Sequence, residues 1–325
     1  MILAGDIGAT KTNLAVFSGE GHRLVPQLQR TFESGRYSSL EAVVSEFLVE
    51  ARAPIEGACF GVPGPVVAGR CTVTNLPWVI DERRLKGSLA LSRVWLLNDL
   101  AATAYAIPIL KSSDLHTLNQ GSRQEGGTIC LVAPGTGLGE GGLFWDGMHY
   151  RAIASEGGHA DFAPRNPIEI ELLRHLLAKF KHVSYERVLS GPGLFNIYTF
   201  LKESGRAEEP AWLAQRLLEA EDATAVISQI GLTGENELCV KALDIFVSVF
   251  GAEAGNLALK VIATGGVYLG GGIPPKILKK LEDGTFMTAF LSKGRLSDVL
   301  ERMPVHVILN DKAALLGAAC YAFEQ

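Results

Sequence analysis

The sequence predicts an α/β fold built from two related units. Apolar strand-like runs alternate with amphipathic helical stretches, which is typical of α/β domains. A strand, a glycine turn and a second strand occur near the start of each half, within residues 1–17 and 128–147. This likeness is too short to establish an internal repeat by itself. The chain has 325 residues, which is enough for two domains.

The first unit begins with a predicted β-hairpin and an amphipathic helix. Residues 2–5 and 13–17 are apolar runs around a Gly/Thr turn, a pattern that favours two antiparallel strands. Ser38 with Glu41 three residues later predicts the start of a helix over SSLEAVVSEFLVEAR.

Buried strands are predicted next, at residues 57–62 and 94–97. The stretch DLAATAYAI after the second strand reads as a helix start. Residues 108–115 then look like a crossing into the second unit.

The second unit is expected to be rich in helices. Apolar residues keep helical spacing over 167–180 and 233–260. Residues 305–309 predict a strand, and Asn310 or Asp311 is expected to cap a final apolar helix that packs onto the first unit.

Composition and charge favour a globular enzyme with a small substrate. Hydrophobic residues make up 47% of the chain, and the 36 glycines are scattered rather than periodic. A formal net charge of −5 gives no global attraction to nucleic acid or to an anionic membrane. No secretory signal or 18-residue apolar span is evident, so we expect a cytoplasmic location.

The cysteines are expected to be reduced core residues. Their number is odd, none forms a C-x-x-C pair, and they lie in apolar stretches, which argues against a disulfide framework or structural zinc. They are Cys59, Cys71, Cys130, Cys239 and Cys320.

The stretch GDIGATKT, residues 5–12, differs at one position from the GxxxxGK[ST] pattern of a phosphate loop, because Thr10 stands where the pattern has its second glycine. A P-loop requires a helix after its lysine, but NLAVF after Thr12 favours a strand. We therefore favour a hairpin that holds phosphate through its glycine backbone and through Thr10, Lys11 and Thr12. Asp6 is placed to hold Mg²⁺ through water. A P-loop with VWLLND as its Walker B strand and a plain tight turn are the alternatives.

Two further glycine-rich bends make a nucleotide site more plausible than unrelated turns. One is APGTGLGEGG, and the other is TGGVYLGGGIPPK before a predicted helix. Each bend alone is a weak signal. Together with the first loop they favour a nucleotide held from both units.

Polar residues at strand ends and in a second glycine segment are the candidates for chemistry. Asn98 and Asp99 follow an apolar strand, where open α/β sheets bind ligands, and a carboxylate there suits a general base for phosphoryl transfer. The alternative role for Asp99 is a helix N-cap. Glu156 and His159 in SEGGHADFAP suit a polyhydroxylated ligand, although a lone histidine is more often structural. Glu186 beside Arg187 reads as a solvated pair.

These stretches together resemble the bacterial glucokinase family. They run in the family's order from Met1 to the final helix, as GDIGATKTNLAVF, LLNDLAATAYAIP, APGTGLG, EGGHADFAP, HVSYERVLSGPG and TGGVYLGGGIPPK. The resemblance implies a two-lobed actin-like ATPase fold with duplicated ribonuclease-H-like cores. It implies a small α/β domain of residues 1–109 joined by a C-terminal helix at 310–325, and a large α/β domain of residues 110–309.

The same resemblance implies that ATP and Mg²⁺ phosphorylate glucose at its 6-hydroxyl. Asp99 would be the base, and the other sugar hydroxyls would be held by Asn98, Glu156, His159 and Glu186. Phosphate contacts would come from Asp6, Gly8, Ala9, Thr10, Lys11, Thr12, Asn13, Gly135, Thr136 and Gly137. Gly265, Gly266 and Gly270 would approach the adenosine.

The first loop departs from the family pattern. A second glycine and Asn-Ala-Arg are expected there, but the chain has Ala9 and Lys11-Thr12-Asn13. The loop is similar to that of a related repressor and kinase family, whose cysteine-rich zinc motif is missing. A sugar-sensing regulator is an alternative, but it would need a helix-turn-helix before the first strand at Ile2. A hexose kinase with another sugar or donor also stays open, as does a homodimer.

Overall fold

Residues 1–20, 23–73 and 76–325 are described by the computed structural model, and they fall into two units. The first unit contains Met1–Asp114, Tyr150–Ala154 and Asn310–Gln325. The second contains Leu115–His149 and Ser155–Leu309. The short segment Tyr150–Ala154 is tied to the first unit, because the amide of Ala152 donates a hydrogen bond to the Tyr105 hydroxyl at 3.2 Å.

Strands and helices alternate in the first unit, as the sequence predicts. Its strands are β1 (Ile2–Ile7), β2 (Lys11–Glu20), β3 (Arg23–Glu33), β4 (Gly57–Val62), β5 (Arg70–Thr72), β6 (Val79–Asp81) and β7 (Arg93–Asn98). Its helices are α1 (Leu40–Ala51), α2 (Glu82–Leu89) and α3 (Asp99–Ala106), joined by the last helix of the chain.

The main sheet of this unit has the strand order β3-β2-β1-β4-β7. Strands β1 and β2 form the predicted antiparallel hairpin, whereas β1, β4 and β7 are parallel. Asp6 is paired with Gly61, and the neighbouring Val62 is paired with Asn98. The carboxyl ends of the parallel strands therefore place Asp6 and Asn98 on one edge of the sheet.

The second unit repeats this strand pattern. Its strands are β8 (Leu115–Asn119), β9 (Ile129–Pro134), β10 (Leu138–Trp145), β12 (Gly266–Leu269) and β13 (Val305–Ile308), while β11 (Tyr150–Ile153) lies in the segment assigned to the first unit. The order β10-β9-β12-β13-β8 again places an antiparallel hairpin beside parallel strands. The shared order β2-β1-β4-β7 and β10-β9-β12-β13 indicates a duplicated core.

Helices cover much of the second unit, as the sequence predicts. They are α4 (Pro167–Leu177), α5 (Gly191–Glu203), α6 (Ala211–Glu219), α7 (Ala223–Thr233), α8 (Glu237–Val261), α9 (Leu278–Leu281), α10 (Thr285–Leu291) and α11 (Ser297–Glu301). Helix α8 has 25 residues and is largely buried, with phenylalanines at 246 and 250 in the core of the unit. It therefore organises the other helices of this unit around itself.

Helix α12 (Ala313–Glu324) packs within the first unit on small residues. Alternate residues of β2 serve two faces of the sheet, because Leu14 and Val16 join one apolar cluster while Ala15 and Phe17 join another. The second cluster includes Ala318 and Ala319 of α12. The final helix thus covers one face of the sheet, as the sequence predicts.

Several predicted helix boundaries were wrong. Ser39, not Ser38, caps α1, because its hydroxyl accepts a hydrogen bond from the Ala42 amide. The helix predicted over 233–260 is α8, but it begins only at Glu237, since Gly234 ends the preceding α7 at φ 75° and Asn236 caps α8. Lys312 precedes α12 without a side-chain cap.

The predicted cap of the final helix has another role. The side-chain oxygen of Asn310 accepts a hydrogen bond from the Lys312 amide at 2.9 Å, so it closes the turn before α12 rather than capping the helix. Strand β3 was not predicted. It lies at the edge of the sheet, where Pro26 is tolerated because an outward-facing position needs no amide donor.

The cysteines at 59, 71, 130, 239 and 320 are buried and free of disulfides, which agrees with their prediction as core residues. In the part of the chain that the structure describes, every helix is too short or too polar to span a membrane.

Candidate active site

Asn98 and Asp99 lie where β7 passes into α3. The Asn98 side-chain oxygen accepts a hydrogen bond from the Leu100 amide at 3.0 Å, which makes Asn98 the N-cap of α3. Asp99 is the first residue of α3, and its side chain is exposed. One of its carboxylate oxygens accepts from the Leu100 amide at 2.8 Å, and the Thr103 hydroxyl donates to its backbone carbonyl at 2.9 Å. Asn98, and not Asp99, is therefore the N-cap of the helix.

Asp6 lies on the same edge of the sheet and is held by a chain of side chains. The Asn13 amide donates to an Asp6 carboxylate oxygen at 3.3 Å, and the Thr31 hydroxyl donates to the Asn13 side-chain oxygen at 2.7 Å. Burial raises the pKa of Asp6 most, the hydrogen bond from Asn13 lowers it, and the negative charge of Asp99 raises it further. A divalent cation at this edge would relieve both unfavourable effects.

The residues on this edge fit a magnesium ion. Mg²⁺ usually binds through one or two carboxylates together with water and substrate phosphates, rather than in an all-protein cage. Within residues 1–20, 23–73 and 76–325, no cluster of three or more metal-binding side chains occurs. Asp6 is the carboxylate on this edge that would hold Mg²⁺ through water beside a nucleotide.

The first glycine loop is a strand-to-strand turn, not the start of a helix. The Gly8 amide donates to the Lys11 carbonyl at 2.8 Å, and Lys11 already belongs to β2. This geometry contradicts the P-loop alternative, since a P-loop lysine begins a helix. Thr10 and Lys11 are exposed, Gly8 and Ala9 are half-buried, and Thr12 is buried.

Ser34 supports this loop, a role that the sequence did not predict. Its hydroxyl donates to the Gly8 carbonyl at 2.7 Å and lies 3.0 Å from the Thr12 hydroxyl, while its amide donates to the Thr10 carbonyl at 3.0 Å. The predicted donor Thr12 is thus engaged inside the protein. Ser34 is 26 residues from Gly8, so no local motif could reveal the contact.

The second glycine loop is joined to Glu186. The Gly135 amide donates to the Gly137 carbonyl at 2.8 Å, and Thr136 lies at the tip of the turn. The Leu138 amide donates to a Glu186 carboxylate oxygen at 3.0 Å. A side chain at Gly137 would lie 2.6 Å from that oxygen, so alanine there would force the Glu186 carboxylate to move.

Glu156 and His159 lie on a turn that packs against Leu138, the residue that contacts Glu186. They flank a short 3₁₀ turn in which the His159 amide donates to the Glu156 carbonyl at 3.0 Å. A methyl group at Gly158 would lie 2.1 Å from the Leu138 carbonyl oxygen, so this turn packs directly on the start of β10. The side chains of Glu156 and His159 are exposed, and that of Glu186 is half-buried. The turn that carries Glu156 and His159 and the Glu186 carboxylate therefore both contact Leu138.

A cavity of about 670 Å³ opens beside the second glycine loop. It is lined by the amino ends of α5 and α7 and by the segment after β12. Its lining includes Gly135, Thr136, Gly191, Phe195, Asn196, Asp222, Thr224, Gly272, Ile273 and Lys276. The Thr224 hydroxyl donates to the Gly191 carbonyl at 3.1 Å, which joins the two helices at the cavity wall. Gly272, Ile273 and Lys276 belong to the predicted bend TGGVYLGGGIPPK, whereas Phe195, Asn196, Asp222 and Thr224 lie in no motif that would mark them as ligands.

The glycines around β12 separate into two groups. The Gly270 amide donates to the Val132 carbonyl at 3.0 Å, at the end of β12 near the cavity. Gly265 and Gly266 lie at the opposite end of the strand, and a side chain at Gly265 would be 2.2 Å from the Gly127 carbonyl oxygen. Gly265 therefore allows close packing against Gly127, and neither Gly265 nor Gly266 lines the cavity.

The chain is similar over its whole length to known glucokinases. Residues 3–325 match the profile of the glucokinase family. A glucokinase of Nostoc punctiforme is 42% identical over 336 residues, which cover 99% of this chain and 98% of that protein. A glucokinase of Synechocystis is 40% identical over 344 residues, which cover 98% of this chain and 97% of that protein.

Solved structures support the predicted fold. Glucokinase from an Antarctic psychrotroph superposes with a TM-score of 0.90 at 31% identity, covering 100% of this chain and 99% of that chain. A ROK family glucokinase from Streptomyces griseus, in complex with glucose and AMPPNP, has a TM-score of 0.65 at 19% identity and covers 100% and 99% of the two chains. The predicted actin-like ATPase fold is confirmed. The chain belongs to the glucokinase family and is an enzyme of that family.

Proposed function

We propose that the chain transfers the terminal phosphoryl group of ATP to the 6-hydroxyl of glucose, giving glucose 6-phosphate and ADP. Membership of the glucokinase family supports the reaction. The observation that carries the assignment of residues is the exposed Asp99 carboxylate at the carboxyl end of β7. Ligands of open α/β sheets bind at such ends.

Asp99 acts as the general base in this proposal. One carboxylate oxygen is held by the Leu100 amide, so the carboxylate has a fixed direction. The carboxylate takes the proton of the sugar hydroxyl as the hydroxyl oxygen bonds to phosphorus and the bond to ADP breaks. Such proton transfer contributes about 10²- to 10⁴-fold to the rate.

The other sugar hydroxyls bind Asn98, Glu156, His159 and Glu186. Carboxylate, amide and imidazole groups supply the dense donors and acceptors that a hexose requires. Glu186 keeps its orientation through the Leu138 amide, and Asn98 through its cap of α3. The glucokinase of Balamuthia mandrillaris has been solved in complex with glucose, and its likeness to this chain, at 20% identity, supports the fold alone.

The donor is held by two glycine loops and by the cavity beside α5 and α7. We assign phosphate contacts to Asp6, Gly8, Ala9, Thr10, Lys11, Asn13, Gly135, Thr136 and Gly137. The cavity of about 670 Å³ is large enough for a nucleoside, and it adjoins Gly135 and Thr136. Bound Mg²⁺ would neutralise charge on the phosphates, with Asp6 holding it through water.

A coupled assay that crosses several sugars with ATP, ADP and polyphosphate tests this function. We expect Mg²⁺-dependent turnover with glucose and ATP. Saturable glucose binding without turnover would instead favour a sugar-sensing regulator, and preference for another pair would favour a related hexose kinase. Nucleotide hydrolysis that is indifferent to glucose would contradict the proposal.

We propose a cytoplasmic enzyme that acts on small molecules without nucleic-acid or membrane partners. The net charge of −5 supports the absence of such partners, because it gives no global attraction to nucleic acid or to an anionic membrane. Sedimentation of the purified chain across a range of protein concentrations tests whether it is a homodimer.

A further inference from the structure

A buried glutamate lies beside the segment that we assign to sugar binding. Glu140 is on β10, two residues after Leu138, and only 2% of its surface is exposed. Among the described residues its Oε1 atom has no hydrogen-bond partner. An ionised carboxylate in such a place is unfavourable, because burial without a partner costs solvation energy.

Glu140 packs directly against Gly157, which lies between Glu156 and His159. A methyl group placed on Gly157 would be 2.3 Å from Oε2 of Glu140 and 3.2 Å from its Cβ atom. The Gly157 amide donates to the Ser155 hydroxyl at 2.9 Å, so the backbone is held on its other side as well. The Glu140 side chain therefore lies against the backbone of Gly157 and leaves no room for a side chain there.

A second buried acid, Glu253 of α8, faces Glu140, and their charges repel. Glu253 has compensating partners. The Asn256 side-chain amide donates to its Oε2 atom at 2.8 Å, and the Lys260 ammonium lies 3.8 Å from its Oε1 atom, which has no hydrogen-bond partner among the described residues.

The remaining neighbours decide which acid holds a proton. Burial first and the charge of Glu253 second raise the pKa of Glu140 to about 7, against which only Lys260 acts. Burial also raises the pKa of Glu253, but Asn256, Tyr185, Lys260 and Lys293 act against that rise. The Cys130 thiol of β9, which interacts electrostatically with Glu140, is neutral because burial raises its pKa. The pair titrates as a unit, and its first charge belongs on Glu253.

We propose that Glu140 is a positioning residue that supports the sugar-binding segment as a neutral carboxylic acid, while Glu253 carries the charge of the pair. The inference rests on the proposed function, which assigns Glu156 and His159 to sugar binding. When Glu140 ionises, two buried carboxylates face each other, and Glu140 moves away from Gly157. The neighbouring Glu156 and His159 then lose the backbone position that binds the sugar.

The test measures the glucose dissociation constant by calorimetry from about pH 6 to about pH 9 for the whole chain and for Glu140→Gln. If binding needs the proton, affinity of the wild-type chain falls up to about tenfold per pH unit above the transition. Glutamine has the shape of the neutral acid and cannot ionise. Glu140→Gln should therefore keep tight binding at high pH. In the wild-type chain the KM for glucose should rise over the same pH range, and the loss of Glu140's proton should leave kcat unchanged.

Two further variants control the result. Glu253→Gln removes the negative charge that repels ionised Glu140, so glucose affinity should begin to fall at a lower pH than in the wild-type chain. Glu169 is equally buried, at 1% exposure, but it is paired with Arg165 and Asn166, so Glu169→Gln should keep the wild-type pH profile. His159 is unchanged in all these proteins, so its contribution to glucose binding is common to the whole comparison.

The inference is overturned if Glu140→Gln shows the same pH slope as the wild-type chain, or if it weakens glucose binding at pH 6. If the wild-type chain phosphorylates glucose but its glucose affinity does not change with pH, this inference is wrong and the proposed function stands. Failure of the wild-type chain to bind or phosphorylate glucose at any pH would sink the proposed function. Infrared spectra add an independent readout, because the band of a protonated buried carboxyl should be absent in Glu140→Gln.

Discussion

The side-chain amide of Asn98 donates a hydrogen bond to the backbone carbonyl of Gly64 at 3.1 Å. The side-chain oxygen of Asn98 caps α3, because it accepts a hydrogen bond from the backbone amide of Leu100. Asn98 thus joins the loop after β4 to the start of α3, with both polar atoms in use. This arrangement fixes the backbone at Asp99 without requiring the Asp99 carboxylate to act as the helix cap.

Asp99→Asn should therefore lower kcat for glucose phosphorylation by about 10²- to 10⁴-fold, because the general base is lost. Asparagine keeps the shape and an oxygen for the Leu100 amide, so the free energy of unfolding should change by less than about 0.5 kcal/mol. A coupled assay and a thermal melt measure the two effects. A kcat close to that of the wild-type chain would reject Asp99 as the base.

Asn98→Ala is the comparison variant for Asp99→Asn, because it removes the helix cap and leaves the base in place. Loss of an N-cap typically costs about 0.5–2 kcal/mol of stability, and here the Gly64 carbonyl also loses its donor. The same melt and assay should show a lower melting temperature together with a higher KM for glucose. An unchanged melting temperature would show that Asn98 does not hold the start of α3.

Gly137→Ala and Gly135→Ala form a matched pair in one loop. A methyl at Gly137 would lie 2.6 Å from the Glu186 carboxylate, whereas a methyl at Gly135 meets no atom within 4 Å. Gly137→Ala should displace Glu186 and raise the KM for glucose at least about tenfold, since a lost charged hydrogen bond is worth about 1.5–3 kcal/mol. Gly135→Ala should leave the KM for glucose unchanged and affect only the nucleotide. Equal glucose kinetics in both variants would contradict the role of Glu186.

Ser34→Ala should weaken the first phosphate loop. Its hydroxyl serves the Gly8 carbonyl and the Thr12 hydroxyl in a buried place, so the variant leaves buried polar groups without partners. The expected loss of stability is about 1–3 kcal/mol, and the KM for ATP should rise more than that for glucose. Ser39→Ala is a suitable control, because it removes a half-buried hydroxyl that caps α1 and makes no bond to the loop. If both variants changed the KM for ATP alike, Ser34 would have no specific role in the loop.

The sequence could predict local features and could not predict contacts between distant segments. The β1–β2 hairpin follows from alternation and a glycine turn, both of which are local. Ser34 under the first loop and Asp222 in the cavity wall meet their sites only after the chain folds. Glycines also look alike in sequence, so Gly265, which serves strand packing, could not be told from Gly270 near the cavity.

Asp6→Asn should separate metal use from stability. Because burial raises the pKa of Asp6, its ionised form lowers stability at neutral pH, and that cost disappears as the pH falls through the raised pKa. Asparagine has no charge to bury and still offers an oxygen to Asn13. We expect equal or higher thermal stability but a much higher Mg²⁺ concentration for half-maximal turnover. An unchanged Mg²⁺ dependence would argue against Asp6 as the metal-binding residue.

The contact between α12 and α3 within the first unit depends on one glycine. A methyl group at Gly317 would lie 1.8 Å from the Ala102 carbonyl oxygen and 2.7 Å from the Ala106 amide nitrogen. Both are backbone atoms, so no side-chain rotation can relieve the clash, and α12 must move away from α3.

Gly317→Ala should therefore lower the free energy of unfolding by about 1–3 kcal/mol or more. Gly87→Ala is the control, because Gly87 is exposed within α2 and a methyl there meets no atom within 4 Å. Alanine favours a helix over glycine by about 0.8–1.0 kcal/mol, so this variant should be more stable than the wild-type chain. Calorimetric melts of the two variants compare the same chemical change in opposite surroundings. A loss of stability in both would mean that any methyl added to these helices is harmful, whereas opposite signs would show that the close approach of α12 to Ala102 sets the requirement for glycine.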